Sequence, residues 1–354
     1  MLLSPAKTYR VAIIGCGRVA WMLEDDPLEI RPCTHAGGWL EYARQTGRAG
    51  LVAGADTDAS RLAAFGGRYP SCALYNDYKE MLTTVRPDIV SICAYATDRH
   101  QMVMDAVSSG VRGIWCEKAF GTSMTEALEM KKACDENGVS LVVSHSRRWH
   151  PAYRKAKEMI DAGAIGTLQS ITSHFSGSLI HTGTHAFDVL RWFLGRPVWV
   201  EGATSGLKGG NLWDAPDDCG GRAHIQFENG SYAAVHGESK RYFIFEFDII
   251  GTDGRIRIGN NDLLEYYTPA KSTHYTGLKE LYKKEFPDFL DKNVWVEAAG
   301  SLTGLLDGKT ENPSPPEAGC GALELALAVH LSAQMGAGRV HLPLTELDLR
   351  VRSR

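Results

Sequence analysis

The 354-residue sequence has no hydrophobic run long enough to cross a membrane and no cluster of basic residues. A membrane span needs about 18 uninterrupted apolar residues, and nucleic-acid binding usually needs a basic surface. Here the net charge is −4, and the chain enters its first strand without the apolar region of a signal peptide. We therefore expect a cytoplasmic protein with no nucleic-acid or membrane partner.

Closely spaced cysteine pairs, internal repeats and low-complexity stretches are also absent. The eight cysteines are scattered without a Cys-x-x-Cys pair, and several, such as Cys93 and Cys116, lie in apolar runs. We expect buried, reduced thiols and neither disulfides nor metal ligands.

The order of predicted elements indicates two domains. Up to residue 145, short apolar strands alternate with helices, which predicts an α/β fold with a doubly wound parallel sheet. Beyond it, turns such as Asn229-Gly230 join alternating strands, which predicts an α+β domain with a large, mostly antiparallel open sheet over 146–354. We expect a helix over 278–306 and a last helix at about 318–336 that packs back on the first domain, 1–145.

A glycine-rich turn follows the first predicted strand, 11–14. Its sequence, Gly15-Cys16-Gly17-Arg18-Val19-Ala20, is the G-x-G-x-x-A pattern of dinucleotide-binding turns. Gly15 would form the tight turn, Gly17 would let the backbone approach a pyrophosphate, and Ala20 would lie where helix meets strand.

Asp56 ends the second predicted strand, where an acidic residue binds the ribose diol of NAD and repels the 2′-phosphate of NADP. NAD is therefore the expected cofactor. Asp56 lies farther from Gly15 than the roughly 20 residues that are usual. A loop inserted over 22–34, before a helix that resumes near His35, would explain the spacing. The loop is either a surface decoration or part of the cofactor or active-site mouth.

Two further strands end in polar residues. The strand over 88–94 leads into Tyr95-Ala96-Thr97-Asp98-Arg99-His100, and the strand over 111–116 leads into Glu117-Lys118. Open α/β sheets bind ligands at this edge. A partly desolvated lysine there is a better proton donor and acceptor than a surface lysine. The candidate cofactor residues are Gly15, Gly17, Arg18, Val19, Asp56, Tyr95, Ala96, His100, Glu117 and Lys118.

These motifs together resemble the glucose-fructose oxidoreductase, inositol dehydrogenase and rhizopine-catabolism (Gfo/Idh/MocA) family. The likeness continues through Arg148-Trp149-His150-Pro151, the segment 161–166, Gly183-Thr184-His185 and the closing segment 338–344, and so covers nearly the whole chain. It implies a nicotinamide-dependent oxidoreductase. By resemblance, Lys118 of the family's E-K-P signature and His185 of its D-x-G-x-H signature converge on the substrate carbon.

The sequence departs from both signatures. Ala119 replaces the proline, and His181 replaces the acid four residues before His185. A carboxylate only accepts hydrogen bonds, whereas a histidine donates or accepts and can hold a proton. Proton transfer, hydrogen bonding to substrate and a loop role all stay open for His181, which we include with Lys118 and His185 among the candidate catalytic residues.

Other readings of the candidate residues are structural. His185 could be a packed helix histidine, and Trp21, Trp39 and Tyr95 could be core residues or stacking platforms. His181 and His185 have a spacing that can bind zinc, with Asp188 one turn on, but Gly183 weakens helix continuity and we expect no metal. Arg148 and Trp149 are candidate substrate-binding residues with His181 and His185. Arg148 could equally tie the two domains together.

The resemblance and the site chemistry predict an NAD-dependent enzyme that acts on a sugar, a cyclic polyol or a sugar derivative. One alternative retains NAD and oxidises a sugar transiently to allow elimination or glycoside cleavage. Another is a catalytically silent NAD-binding regulatory or scaffold protein. We further expect a homodimer or homotetramer formed through the free face of the second sheet, because a large exposed apolar face usually finds a partner.

Overall fold

The computed structural model describes residues 8–206, 216–238 and 241–353. In this part of the chain, a first sheet has six parallel strands in the order β3-β2-β1-β4-β5-β6. Its strands are β1 (Tyr9–Ile14), β2 (Ala49–Ala55), β3 (Ala73–Tyr75), β4 (Ile89–Ile92), β5 (Gly113–Cys116) and β6 (Ser140–Val143).

Helices cover both faces of this sheet, so its central strands are apolar and buried along their length; every residue of β4 and β5 is buried. The strand order reverses between β1 and β4, which is where such sheets leave a crevice for a nucleotide. The helices of this domain are α1 (His35–Thr46), α2 (Ala59–Arg68), α3 (Tyr78–Val85), α4 (Ala96–Ser108) and α5 (Met124–Asn137).

The segment between the glycine turn and α1 is a compact loop, and α1 begins at His35 as predicted. The loop contains a 3₁₀ turn, Met22–Asp25, and the Thr34 hydroxyl caps α1 by accepting from the Gly37 N–H. The buried carboxylate of Glu24 accepts from the Cys33 N–H at 2.8 Å and the Thr34 hydroxyl at 2.7 Å. These bonds fold residues 22–34 back on the first domain.

The second sheet has nine strands within the described ranges, in the order β14-β13-β12-β11-β7-β10-β9-β8-β15. Only β7 and β10 pair in parallel. Its elements and flanking helices are α6 (Pro151–Asp161), β7 (Leu168–Ser176), α7 (Gly183–Leu194), β8 (Pro197–Thr204), β9 (Gly221–Phe227), β10 (Tyr232–Glu238), β11 (Phe245–Gly251), β12 (Gly254–Gly259), β13 (Leu264–Lys271), β14 (Lys279–Lys284) and β15 (Val340–His341).

The helix predicted over 278–306 is wrong in its first half. Residues Lys279–Lys284 form β14, which pairs with β13 at the edge of the sheet. Backbone pairing with an existing strand outweighs the helix propensity of the lysine and glutamate residues there. The helix, α8 (Val294–Leu306), begins only after Asn293, whose side chain accepts from the N–H groups of Trp295 and Val296.

The last two helices contact the first domain. Helix α8 packs against α1 and β5, and α9 (Pro316–Gln334) contacts α5 and β6 as well as α7 and β8. Helix α9 is buried along most of its length, as a helix between two layers must be. Together they fix the edge of the first sheet next to α7, which carries His185.

Candidate active site

A cleft of about 710 Å³ lies across the carboxyl ends of the first-sheet strands. Most of the predicted cofactor residues line it: Gly15, Gly17, Arg18, Val19, Asp56, Tyr95, Glu117 and Lys118. Met22 and Leu23 of the 22–34 loop also line the cleft, and His181 from the second domain lies at its wall. The loop is therefore part of the cleft and not only a surface decoration.

The glycine turn fits a dinucleotide. Gly15 has φ +86°, and a side chain there would lie 3.0 Å from the carbonyl carbon of Cys93, so only glycine fits. A Cβ on Gly17 would meet no described atom within 4 Å and would project into the space where a pyrophosphate approaches. The surroundings of the two glycines thus differ as the sequence pattern predicts, and their roles in cofactor binding stay a prediction.

Asp56 lines the cleft and holds the turn in place. Its Oδ2 accepts from the Cys16 N–H at 2.7 Å, and its Oδ1 accepts from the Asp58 N–H at 2.8 Å. Each carboxylate oxygen has a second lone pair for a ribose hydroxyl. Asp56 therefore connects the end of β2 to the glycine turn and presents negative charge to the cleft.

Two predicted cofactor residues lie away from the cleft. Ala96 is fully buried as the first residue of α4. His100, one turn farther on, faces α5, where its Nε2 lies 2.8 Å from Glu129 Oε2. Helix α4 faces the cleft through Asp98, Arg99 and Met102 instead, so a cofactor role for Ala96 and His100 stays a prediction. Arg99 lines the cleft and donates to the carbonyl groups of Ala94, at 2.7 Å, and Ala119.

Lys118 lies where β5 ends and reaches across to the second domain. Its Nζ donates to the backbone carbonyl of His181 at 2.9 Å. Burial lowers the pKa of Lys118 to about 8; Glu117 opposes this shift, while Arg99 and Arg147 add to it. The amine can thus exchange a proton near neutral pH. The peptide bond from Lys118 to Ala119 is cis.

Glu117 is buried against His35, a partner that sequence reasoning missed. His35 Nε2 lies 3.0 Å from Glu117 Oε1 and donates to it, while the His35 ring packs against Trp115 and Trp295. Burial alone would raise the pKa of Glu117, but the His35 hydrogen bond and the charges of His35, Lys118 and Arg99 bring it down to about 2. Glu117 is therefore a fixed negative charge beside Lys118.

His181 stands where the family signature has an acid, and a different acid, Asp218, binds the backbone of the same loop. Asp218 accepts from the N–H groups of Ile180 and His181, the latter at 2.8 Å, and from His330 Nε2 at 3.3 Å. The backbone of His181 thus lies between Lys118 and Asp218, and its side chain is exposed at the cleft. Asp218 was missed because it lies 37 residues from His181 in the chain.

His185 lies one helical turn beyond His181 and is half-buried. Its ring contacts His145 and Phe245 edge-to-face, with centroid distances of 5.9 and 6.3 Å. Its buried Nδ1 has no hydrogen-bond partner among the described residues. Burial, together with the positive charges of Arg147 and Lys118, keeps the pKa of His185 well below its usual value. The imidazole is therefore neutral at pH 7 and can accept a hydrogen bond.

Arg148 and Trp149 bind other residues and do not line the cleft, so a substrate role for them stays a prediction. Arg148 donates through Nε and Nη2 to the Asp188 carboxylate, at 2.8 to 3.0 Å, and through Nη1 to the Pro313 carbonyl at 3.1 Å. Trp149 is 2% exposed, and its Nε1 donates to Ser301. Arg148 thus ties the segment after β6 to α7.

Two of the three aromatic candidates are buried, and the third is exposed at the cleft. Trp21 and Trp39 are buried, and their indole N–H groups donate to the Cys16 carbonyl and the Ser91 hydroxyl. Tyr95 is 54% exposed and lines the cleft. The two tryptophans are core residues, and Tyr95 is available to a ligand.

Across residues 8–206, 216–238 and 241–353, no group of three or more His, Cys, Asp or Glu side chains is arranged to hold a metal ion. Asp188, the suggested third ligand beside His181 and His185, is paired with Arg148. No helix in these ranges is long and apolar enough to span a membrane.

A parallel sheet with a glycine turn, an acid after β2 and a lysine after β5 defines the nucleotide domain of an NAD-binding oxidoreductase. Residues 9–145 match the oxidoreductase family model with an NAD-binding Rossmann fold, and residues 153–257 match the GFO/IDH/MocA C-terminal domain. The chain belongs to the Gfo/Idh/MocA oxidoreductase family.

Similar proteins include sugar and polyol dehydrogenases. A D-apiose dehydrogenase of Paraburkholderia graminis is 30% identical over 216 residues, which cover 56% of this chain and 53% of that protein. Inositol 2-dehydrogenase 3 of Saccharopolyspora erythraea is 24% identical over 82% of this chain and 85% of its own length. The chain thus spans only about half of the first relative.

Solved structures share the fold over almost the whole chain. The WlbA dehydrogenase of Bordetella pertussis, in complex with NADH and UDP-GlcNAcA, has a TM-score of 0.76 at 20% identity and covers 96% of this chain and 100% of its own. At this identity the likeness defines the fold alone.

Proposed function

We propose that this protein is an NAD-dependent dehydrogenase that moves a hydride between nicotinamide and a ring carbon of a sugar, cyclic polyol or sugar derivative. The observation that carries the proposal is the position of Lys118. Its amine, with a pKa of about 8, lies at the end of the nucleotide cleft and contacts the His181 loop of the second domain. The dehydrogenase names of several relatives support the same class of substrate.

The residues present fit NAD. Gly15 makes the tight turn and Gly17 leaves room for the pyrophosphate. Asp56 faces the end of the cleft suited to the adenosine ribose, and Glu117 with Lys118 forms the other end. The charge of Asp56 favours NAD over NADP. Arg61 shares the cleft with Asp56, but its Nε lies 3.5 Å from Asp58 Oδ2, so its charge is partly compensated. When bound, NAD would accept the hydride.

Proton transfer falls to Lys118. In its neutral form the amine takes the proton of the substrate hydroxyl while the C–H bond breaks and the carbonyl forms; in the reverse direction the ammonium returns it. The His181 carbonyl orients the Nζ group. Glu117 beside it stabilises the ammonium that results.

His185 orients the reacting hydroxyl. Its neutral imidazole accepts a hydrogen bond from a substrate hydroxyl or shares the proton with Lys118. His181, exposed at the cleft wall, contributes to substrate preference. Neither role needs the family's usual acid at position 181.

The direct test is NADH formation by the purified protein with NAD and a panel of inositols, aldoses, sugar acids and glycosides. Turnover with net NADH supports the proposal. Product without net NADH, from protein that is purified with NAD bound, would favour the transient-oxidation alternative. NAD binding without turnover of any compound would favour a regulatory or scaffold role.

We also propose a homodimer or homotetramer formed through the outer face of the second sheet. That face is polar, contrary to the apolar face expected, so the proposal is supported by the family resemblance and not by apolar burial. His174 on β7 and His236 on β10 stack with ring centroids 4.9 Å apart, and Arg257 pairs with Glu265. Light scattering of the purified protein gives the assembly state. A Thr172→Arg change, on the same face, should weaken assembly if this surface is the interface.

A further inference from the structure

Phe245, the first residue of β11, is shared by two polar side chains of the candidate site. The guanidinium carbon of Arg147 lies 4.1 Å from the centroid of the Phe245 ring, and His185 meets the same ring edge-to-face. A guanidinium stacked on an aromatic ring keeps its edge N–H groups free to donate. Phe245 therefore contacts both side chains, and Arg147 lies near enough for its charge to lower the pKa of His185.

Arg147 has no carboxylate partner. Its neighbours Arg148 and Arg154 pair with Asp188 and Glu297. None of the carboxylates that the structure describes lies within 4.0 Å of the Arg147 guanidinium. Its Nη1 donates to the Ser146 hydroxyl at 3.2 Å, and the guanidinium also lies close enough to the neutral Tyr153 hydroxyl to oppose the rise in the pKa of that group. A half-buried arginine without a counter-ion is unusual, because burying an unpaired charge is costly.

The buried carboxylates around this site are already engaged. Asp188 is held by Arg148, Glu117 by His35, and Asp218 by two backbone N–H groups and His330. The positive charge of Arg147 acts instead on Lys118 and His185 and helps to lower the pKa of both. The site therefore has more positive than negative charge facing the position of the substrate.

Unpaired donors and acceptors lie in the same place. The Nδ1 atom of His185 has no hydrogen-bond partner in the described part of the chain. His145, which is 1% exposed and packs against His185, has its Nδ1 3.5 Å from Asp188 Oδ1, a longer contact than a hydrogen bond, and its Nε2 has no hydrogen-bond partner in the described part of the chain. Buried polar atoms are normally paired, so unpaired ones close enough to Lys118 and Arg147 to respond to their charges are candidates for binding a ligand.

We propose that the substrate carries an anionic group, a carboxylate or a phosphate, which binds to Arg147 on the Phe245 ring beside Lys118 and His185. This inference rests on the proposed function, because it names the substrate class of that same site. An arginine binds either anion through two parallel N–H bonds. The anion supplies the counter-ion that Arg147 lacks and fixes the carbon to be oxidised relative to Lys118.

The test compares matched pairs of substrates in initial-rate assays with NAD. The pairs are glucuronate with glucose, gluconate with glucitol, and glucose 6-phosphate with glucose. We measure the ratio of kcat/KM for the anion to that for its neutral partner in the wild type, Arg147→Met, Arg147→Lys and the control Arg154→Met. We use the ratio because loss of the Arg147 charge also raises the pKa of Lys118. That change alters the rate with every substrate alike and cancels in the ratio.

We expect the kcat/KM of the wild type to be about 10-fold or more higher for the anion than for the neutral compound in at least one pair. This is the size of effect that a charge-assisted hydrogen bond gives. Arg147→Met should lower that ratio by about 10- to 100-fold, Arg147→Lys should retain part of it, and Arg154→Met should leave it unchanged. Preference for the carboxylates or for the phosphate identifies the source of the anion. Equal use of both members of every pair, or an unchanged ratio in Arg147→Met, overturns the proposal.

A binding measurement separates this proposal from the proposed function. Calorimetry of the NAD-loaded protein with the same pairs needs no turnover. If no compound is oxidised but the anions bind more tightly than their partners through Arg147, hydride transfer fails and the anion site stands. If neutral compounds are oxidised and the anions bind no more tightly than they do, hydride transfer stands and the anion site fails. Should Arg147→Met fail to fold, Arg147→Gln replaces it.

Discussion

Lys118 Nζ donates a 2.9 Å hydrogen bond to the backbone carbonyl of His181. This bond joins the end of β5 in the first domain to the loop before α7 in the second. The same loop is fixed from its other side by Asp218, which accepts from the His181 N–H. The position of the lysine amine therefore depends on both domains.

The charge of Glu117 should set the pH dependence of the reaction. Glu117 raises the pKa of Lys118 against the effect of burial, so Glu117→Gln should lower it below about 8. Because oxidation needs the neutral amine, kcat/KM should rise with pH and level off at a lower pH in the variant. The pH profile of kcat/KM checks this, and an unshifted profile would show that another group titrates.

Asp56 should control both the affinity and the choice of cofactor. Asp56→Ala removes the acceptor for the ribose diol and the charge that repels a 2′-phosphate. We expect NAD affinity to fall by about 10- to 100-fold and discrimination against NADP to weaken. Fluorescence titration with NADH and NADPH measures both. The control Asp77→Ala removes the cap of α3 at a residue that does not line the cleft, and should leave the preference intact.

Arg148 should stabilise the folded protein and should not determine which substrate is used. Arg148→Met would leave the carboxylate of Asp188, which is 1% exposed, without its partner. Breaking such a buried pair costs about 3–5 kcal/mol. Urea unfolding measures the loss, and the double variant Arg148→Met, Asp188→Asn should recover part of it. A fully stable Arg148→Met protein would argue against this role.

The Asp218–His330 pair should stabilise the protein in a defined pH window. Burial opposes both charges, but their mutual hydrogen bond and attraction raise the pKa of His330 and lower that of Asp218. The contribution of His330 is complete below its unfolded pKa of about 6.5 and is lost as the pH rises through the higher folded value. The contribution of Asp218 to stability is present above its unfolded pKa of about 3.9, and it is lost as the pH falls through the lower pKa of the folded protein.

His330→Gln keeps a hydrogen-bond donor but removes the charge. Its Tm should lie farthest below the wild-type Tm between about pH 4 and 6.5, and the gap should narrow toward pH 9. Melting curves of both proteins between about pH 4 and pH 9 test this prediction. A gap that does not vary with pH would mean that the pair is not charged in the folded protein.

The features predicted correctly from sequence are those that local pattern determines. Gly15 and Gly17 follow a strand in a fixed motif, and Asp56 and Lys118 end strands whose apolar runs are easily recognised. Ala96 and His100 do not line the cleft, although Asp98, Arg99 and Met102 of the same helix do. A run of residues after a strand does not show which of them the helix turns toward the crevice. Strand β14 was missed because its pairing partner lies outside the local pattern.

The partners of the site residues could not be predicted in this way. Glu117 and His35 are 82 residues apart, and Lys118 and His181 are 63 residues apart. Only tertiary packing brings them together. His145 is a different case, since it lies two residues beyond the end of β6 as Lys118 lies two residues beyond the end of β5. The rule that ligands bind at the carboxyl edge of the sheet therefore indicates it.

The central claim is that Lys118 transfers the proton in a hydride-transfer reaction. Its most direct test is Lys118→Ala, compared with the wild type in kcat/KM for the best substrate and in NADH affinity by fluorescence titration. The account predicts that turnover falls by on the order of 100- to 10,000-fold or more, with NADH affinity nearly unchanged. Turnover close to that of the wild type would contradict it.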